Sequence, residues 1–230
     1  MPTATWERLP ESRRAAVLAA AEAEFAEHGF SAGSLNVVAR NAGVSKGSLF
    51  QYFHDKVDLY AYLSELASQR IRAAMEEQIP HLPWDKGFFA AVRELTRVWV
   101  AYFDDHPLDL AFTAAVNLEP EGTARAAVRA VANRHYVEVL TPLLELGRER
   151  GELRADADLD AIQAWLLLLL PHLALAPHHP GLDPVLGLAS SDPAERQASI
   201  ERLLAPLEAA YGASGQTRPI STGPALAEAR

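Results

Sequence analysis

The chain contains no cysteine, which excludes a disulfide framework, thiolate metal ligands and a cysteine nucleophile. Long apolar runs are missing too. The longest strongly apolar stretch, from Trp165 to Leu170, falls far short of the roughly 20 residues that a membrane-spanning helix needs. Alternating runs rich in Val, Ile and Thr are scarce, which disfavours sheet. No Gly-rich phosphate loop and no H-E-x-x-H occurs, and an enzyme is not expected. The stretch from Met1 to Glu7 lacks a basic segment followed by an apolar one; the reading expects no secretory signal and a cytoplasmic protein. An excess of basic charge is also lacking. The net charge of -9 speaks against a nucleic-acid binder only if charge is evenly spread. It is not: residues 36 to 56 carry Arg40, Lys46 and Lys56 against one acid, Asp55.

What is present is a chain of 230 residues, 49% hydrophobic and dominated by alanine and leucine, which supports a buried helical core. Glycine and proline cut it into about nine helical segments. The first runs from about Glu11 to His28, with Val17, Leu18, Ala21 and Phe25 on one face, and stops at Gly29. Ser34 is placed to cap a short second helix, Gly43 to make a turn, and Ser45 to cap a third helix holding Leu49, Phe50 and Phe53. Asp55 caps a long fourth helix. Later helices are expected from near Asp85, from Pro107 to Asn117, up to Gly151 with a kink at Pro142, from Leu159 to Ala176 with a bend near Pro171, and after the Asp192-Pro193 cap. The fold class expected is all-α. Residues 1–55 form a three-helix domain, residues 56–212 a larger helical domain, and residues 213–230, rich in Gly, Ser, Thr and Pro, a disordered tail.

The stretch from Ser34 to Lys56 holds two short helices around a tight glycine turn, the helix-turn-helix arrangement whose second helix enters the major groove of DNA. Ala39 and Ala42 allow close helix approach, and Val44 plugs the space between. On a helical wheel Leu49 and Phe53 turn inward, Phe50 sits at the edge, and Gly47, Ser48 and Gln51 turn outward, flanked by Ser45 and Tyr52. Gln51 suits paired hydrogen bonds to adenine, and Lys46 has the reach for a phosphate. Ser34, Tyr52, His54 and Lys56 are candidate phosphate contacts. An ordinary helical hairpin is the competing reading of the same segment.

The pattern G-F-x-x-x-S-L-x-x-V-A-x-x-A-G-V-S-K-G-S-L-F-x-Y-F-x-D-K-x-x-L, from Gly29 to Leu59, resembles the DNA-binding signature of the TetR family of transcriptional regulators. The resemblance implies a three-helix DNA-binding domain on a helical ligand-binding and dimerisation domain, and a homodimeric repressor that leaves double-stranded operator DNA when a small effector binds. Two positions depart from the pattern. The family usually has Thr where this chain has Gly33, and often Tyr where it has Phe50.

The second half names no effector. Trp99, Tyr102, Phe103, Phe112, Asn117, Tyr136, Trp165 and His172 are candidates to line a cavity for a hydrophobic ligand, although aromatic stripes at helical spacing more often form core. His106, His135, His172, His178 and His179 show no regular i, i+4 pairing with His or Glu, so no metal site and no cofactor are expected. The last two long helices are the candidate dimer interface. A helical module that binds protein through the Lys46–Tyr52 face is the alternative to DNA binding, and salt dependence separates the two.

Overall fold

The structure, a computed structural model, describes residues 2–179 and 181–213, so residues 214–230 of the expected tail lie outside the described part. Among the described residues ten α-helices follow one another. They are α1 (Ala4–Glu7), α2 (Glu11–Ala32), α3 (Leu35–Asn41), α4 (Lys46–Tyr52), α5 (Lys56–Gln78), α6 (Phe88–Asp105), α7 (Pro107–Asn117), α8 (Gly122–Glu149), α9 (Leu159–Leu175) and α10 (Pro193–Tyr211). Among the described residues there is no strand, only one isolated bridge between Leu153 and Gly212, and no helix is long and apolar enough to cross a membrane. The all-α expectation holds. The helix missing from the sequence reading is α1, whose single turn is held by the buried ring of Trp6.

Two compact units arise, Met1–Ile71 with His106–His135, and Arg72–Asp105 with the chain from Tyr136 onward. In the first, α2 packs on both α3 and α7, and α4 rests on α1 and α3. Val17, Ala21 and Phe25 of α2 are fully buried, joined by Val38, Leu49, Phe53, Leu59, Tyr60 and Leu63. Phe112 and Val116 of α7 and Ala124 and Val128 of α8 complete the same core. Rings dominate it: Phe25 meets Tyr60 at 5.1 Å, Tyr60 meets Phe112 at 5.5 Å, and Trp6 meets Phe53 at 4.9 Å. Each such ring contributes about 1.5–3 kcal/mol by burial alone. Polar ties reinforce the packing. Arg70 of α5 reaches Glu22 of α2 at 2.7 Å and the buried Asp109 of α7 at 2.6 Å.

In the second unit α6 packs on α9 and α10. Two single 3-10 turns, Ile79–His81 and Trp84–Lys86, lie between α5 and α6, so α6 starts at Phe88, later than the expected Asp85. Pro142 and Pro171 lie inside α8 and α9, each assigned as one continuous helix. Asp158 and Asp192 cap α9 and α10 through side-chain bonds to the backbone N–H of Ala161 and Ala194.

One glycine of the first unit is fixed by packing. A Cβ on Gly33 would lie 2.6 Å from the Phe25 ring and 2.6 Å from the carbonyl oxygen of Gly29. Thr, usual here in the TetR pattern, has no room, because the obstacles are a buried ring and backbone. Gly33→Thr is therefore expected to destabilise the protein by about 1–3 kcal/mol, the usual cost of overpacking. Urea unfolding checks this, and an unchanged or raised midpoint would contradict the packing argument.

Candidate nucleic-acid interface

The turn between α3 and α4 is made by backbone bonds. Val44 N–H donates to Ala39 C=O at 2.9 Å and Gly43 N–H to Arg40 C=O at 3.2 Å, the paired closure of a Schellman helix end. Gly43 takes φ +66°, a left-handed conformation that side chains strain. The next helix starts at once: Ser45 Oγ accepts from Ser48 N–H at 3.0 Å, as expected for its cap. The two hydroxyls lie 2.8 Å apart. Asp55 Oδ1 likewise accepts from Asp58 N–H at 2.8 Å, capping α5.

The orientation of α4 follows from three buried residues. Leu49, Tyr52 and Phe53 are 2%, 5% and 2% exposed. With that side inward, Lys46, Gly47, Phe50 and Gln51 stand exposed and Ser48 half-exposed. Arg40 of α3 and His54 are exposed as well. Tyr52 departs from the wheel reading, which put it beside the outward face. Its ring packs on Trp6 at 5.9 Å because α1 covers that side of α4. Ser34 also differs: its side chain makes no cap bond to α3. Instead its backbone N–H donates to the buried carboxylate of Glu24 at 2.8 Å.

Lys56 is the third displaced residue. Its Nζ sits 4.5 Å from the centre of the Phe30 ring and 5.9 Å from that of Phe25. Burial pushes its pKa down, opposed by the charges of Glu119 and Glu24. The ammonium thus rests against the rings of the core.

Sequence reasoning missed two holding devices. Thr3 donates its backbone N–H to Tyr52 C=O at 2.9 Å and its hydroxyl to Gln51 C=O, so the N-terminal segment ties down the end of α4. The second is Glu119, which follows α7 and is 3% exposed. Helix α2 breaks at Gly29, where φ is +66°, and resumes for one turn. The Glu119 carboxylate accepts from Phe30 N–H at 2.9 Å, from Ser31 N–H at 3.3 Å and from the Ser31 hydroxyl, capping that turn from 88 or 89 residues away. No local pattern carries such a contact.

The cavity candidates are scattered. Trp99, Tyr102, Phe103 and Tyr136 form one aromatic group, with Trp99 5.1 Å from Phe103 and 5.5 Å from Tyr136. The Trp99 indole N–H donates to Leu170 C=O at 2.9 Å. Phe112 and Asn117 belong to the other unit, where Asn117 pairs with Arg129 at 2.6 Å. Trp165 is 47% exposed, and His172, also exposed, bonds Leu182 C=O, so both lie on the outside of α9. An open groove of about 510 Å³ between Pro83, Ala90, Arg93 and Glu94 on one side and Gln197, Glu201 and Ala205 of α10 on the other includes none of these candidates.

Residues 17–63, which run from within α2 through the whole of α3 and α4 into α5, match the family model for bacterial regulatory proteins, tetR family. The chain thus resembles the TetR family through this N-terminal segment. Solved structures agree in fold. A TetR family transcriptional regulator from Chloroflexus aurantiacus J-10-fl is 24% identical, with 93% of this chain and 100% of that one covered and a TM-score of 0.62. The fatty acid degradation regulator FadR from Bacillus halodurans is 17% identical over 83% of this chain and 96% of that one, with a TM-score of 0.63. The FadR of Bacillus subtilis, solved in complex with stearoyl-CoA, is 18% identical with the same coverage and a TM-score of 0.61. No protein of curated function matches the chain in sequence. The TetR-family N-terminal domain thus supplies a helix-turn-helix of the DNA-binding kind, with α4 as its second helix.

Burial by itself would push the Glu119 carboxyl up, but bonds from the Ser31 hydroxyl and from the N–H groups of Glu121, Ser31 and Phe30 reverse this and hold it below the ordinary carboxylate range. A depressed folded-state pKa adds stability above the unfolded value, and that stability is lost as pH falls through the folded value. Glu119→Gln is therefore expected to cost about 1–3 kcal/mol at neutral pH and to make the acid limb of stability shallower. Thermal unfolding of both proteins from pH 7 downward measures this, and identical acid limbs would remove Glu119 from the account.

Proposed function

We propose that the chain is a homodimeric transcriptional repressor that holds operator DNA through α4 and releases it when an apolar small molecule binds the second half. One observation carries the DNA reading: the exposed side of α4 presents Lys46, Gly47, Ser48 and Gln51, with no acid, on a helix fixed from behind by Trp6, Leu49 and Phe53. Such a surface is small, polar and rigidly mounted, which suits base edges in a major groove. Ser45 and His54 flank it, while Ser34, Tyr52 and Lys56 support it from within. The functional division is proposed near Lys56. Residues 1–55 read DNA, and residues 56–212 pair the subunits and sense the effector.

Pairing is supported by α9, where Trp165 and Leu168 are 47% and 79% exposed one turn apart, next to Ala164 on the same exposed face. A second copy would cover that stripe and set two copies of α4 about one helical turn of DNA apart. An apolar effector is supported by the group of Trp99, Tyr102, Phe103 and Tyr136. The likeness in fold to a regulator that holds stearoyl-CoA adds an acyl chain as the class to try first.

Selection of bound sequences from a random double-stranded pool tests the reading, and a palindrome with two half-sites is the expected result. On that operator Gln51→Ala should relax base preference, and Lys46→Ala should weaken every sequence alike and lower the salt slope by about one. Enrichment of nothing by the folded, ligand-free protein would favour a protein-binding module. Leu168→Glu is expected to turn the dimer into a monomer in sedimentation and to weaken operator binding; a variant that stayed dimeric would move the interface elsewhere.

A further inference from the structure

Two residues on the exposed side of α4 are unexplained by the fold. Phe50 leaves 47% of its surface open to water, although Leu49, Tyr52 and Phe53 around it are buried. Gly47 lies three residues earlier, on the same side of the helix. Glycine weakens a helix, and here nothing inside the protein requires it. Its φ is not positive, and a Cβ would meet only Ser45 Oγ, at an ordinary 3.7 Å. A lone exposed apolar residue is unremarkable. An exposed ring beside a glycine that no internal contact demands is better explained by a surface that closes on something outside.

We propose that Phe50 is a specificity-determining contact that reads the C5-methyl group of a thymine, with Gly47 as the notch that lets the helix backbone come close enough. The inference rests on the operator-binding role of α4 and deepens it. The neighbours decide the occupant. Lys46 precedes Phe50 by one helical turn, Gln51 follows it, Arg40 stands exposed on α3, and no acid lies on the outward side of α4. That setting favours a polyanion with an apolar group on its readable edge. In the major groove the one apolar group on a base edge is the thymine methyl. A phenyl ring has no hydrogen bond to offer, so contact with that methyl is the sequence information it can collect. Gln51, adjacent in the chain, suits adenine, and together the two residues specify a half-site step rich in A·T pairs.

The experiment uses the full-length protein and the selected operator, with each half-site thymine replaced in turn by deoxyuridine, which removes only the methyl. At one position the wild-type protein should lose about threefold to tenfold in affinity. Phe50→Ala should bind the unmodified operator about that much more weakly and show no further loss with deoxyuridine at that position. Phe50→Tyr should keep the deoxyuridine penalty, since its ring still covers the methyl. Gly47→Ala should weaken the selected operator, while a thermal unfolding midpoint at or above the wild-type value shows that the variant is folded. If no deoxyuridine lowers wild-type affinity, or if Phe50→Ala keeps the same penalty, the methyl contact is overturned while operator binding stands. If the wild-type protein prefers no DNA sequence at all, the operator reading falls and this contact with it.

Discussion

The ring of Phe25 fills the point where α2, the approach to α3 and the start of α5 converge. Gly33 passes so near that any side chain would strike the ring, Tyr60 lies 5.1 Å away, and Lys56 points its charge towards the same group of rings. The angle at which the chain leaves α2 therefore depends on that contact, and the angle sets where α3 begins. Through α3 and the glycine turn it sets where α4 can lie. The outward side of α4 is a secondary consequence of packing around a phenyl ring two helices away.

Electrostatics work with this arrangement. A chain of net charge -9 can still offer a DNA-binding surface when its acids are unevenly placed, and three acids of the first unit are engaged on its body. Glu22 is paired with Arg70, Glu24 accepts the Ser34 N–H, and Glu119 caps the turn after Gly29. Each has a hydrogen-bond or ionic partner on the body of the unit, whereas Arg40 and Lys46 stand exposed. The local sign of charge is thus set by which ions are held internally, and the net value says little about it.

Much of the first unit was legible in the sequence because its signals are local. Ser45 and Asp55 cap as expected, Gly43 turns the chain, and Leu49 and Phe53 point inward as helical spacing requires. Legibility ended where a contact joins residues far apart in the chain. The Glu119 cap spans 89 positions, Trp6 buries itself against Tyr52 and Phe53, and Gly33 answers to a ring. Tyr52 was misplaced because a wheel cannot know that α1 covers one flank of α4. Trp165 and His172 looked like cavity residues by composition alone, but an apolar ring at helical spacing can equally serve an outer face.

The first core also has an evolutionary consequence. Its lining includes Phe112, Val116, Ala124 and Val128, which enter the sequence some fifty or more positions after Lys56, and Glu119 travels with them. A genetic recombination that joined residues 1–55 to an unrelated sensing half would inherit α4 intact but strip Tyr60 and the wall behind it from Phe25, and leave Phe30 and Ser31 without their cap. The DNA-reading part of this lineage is therefore not a cassette to be swapped at the start of α5. It must evolve together with the α7–α8 corner, so change should be correlated between the residues around Gly29 and those around Glu119.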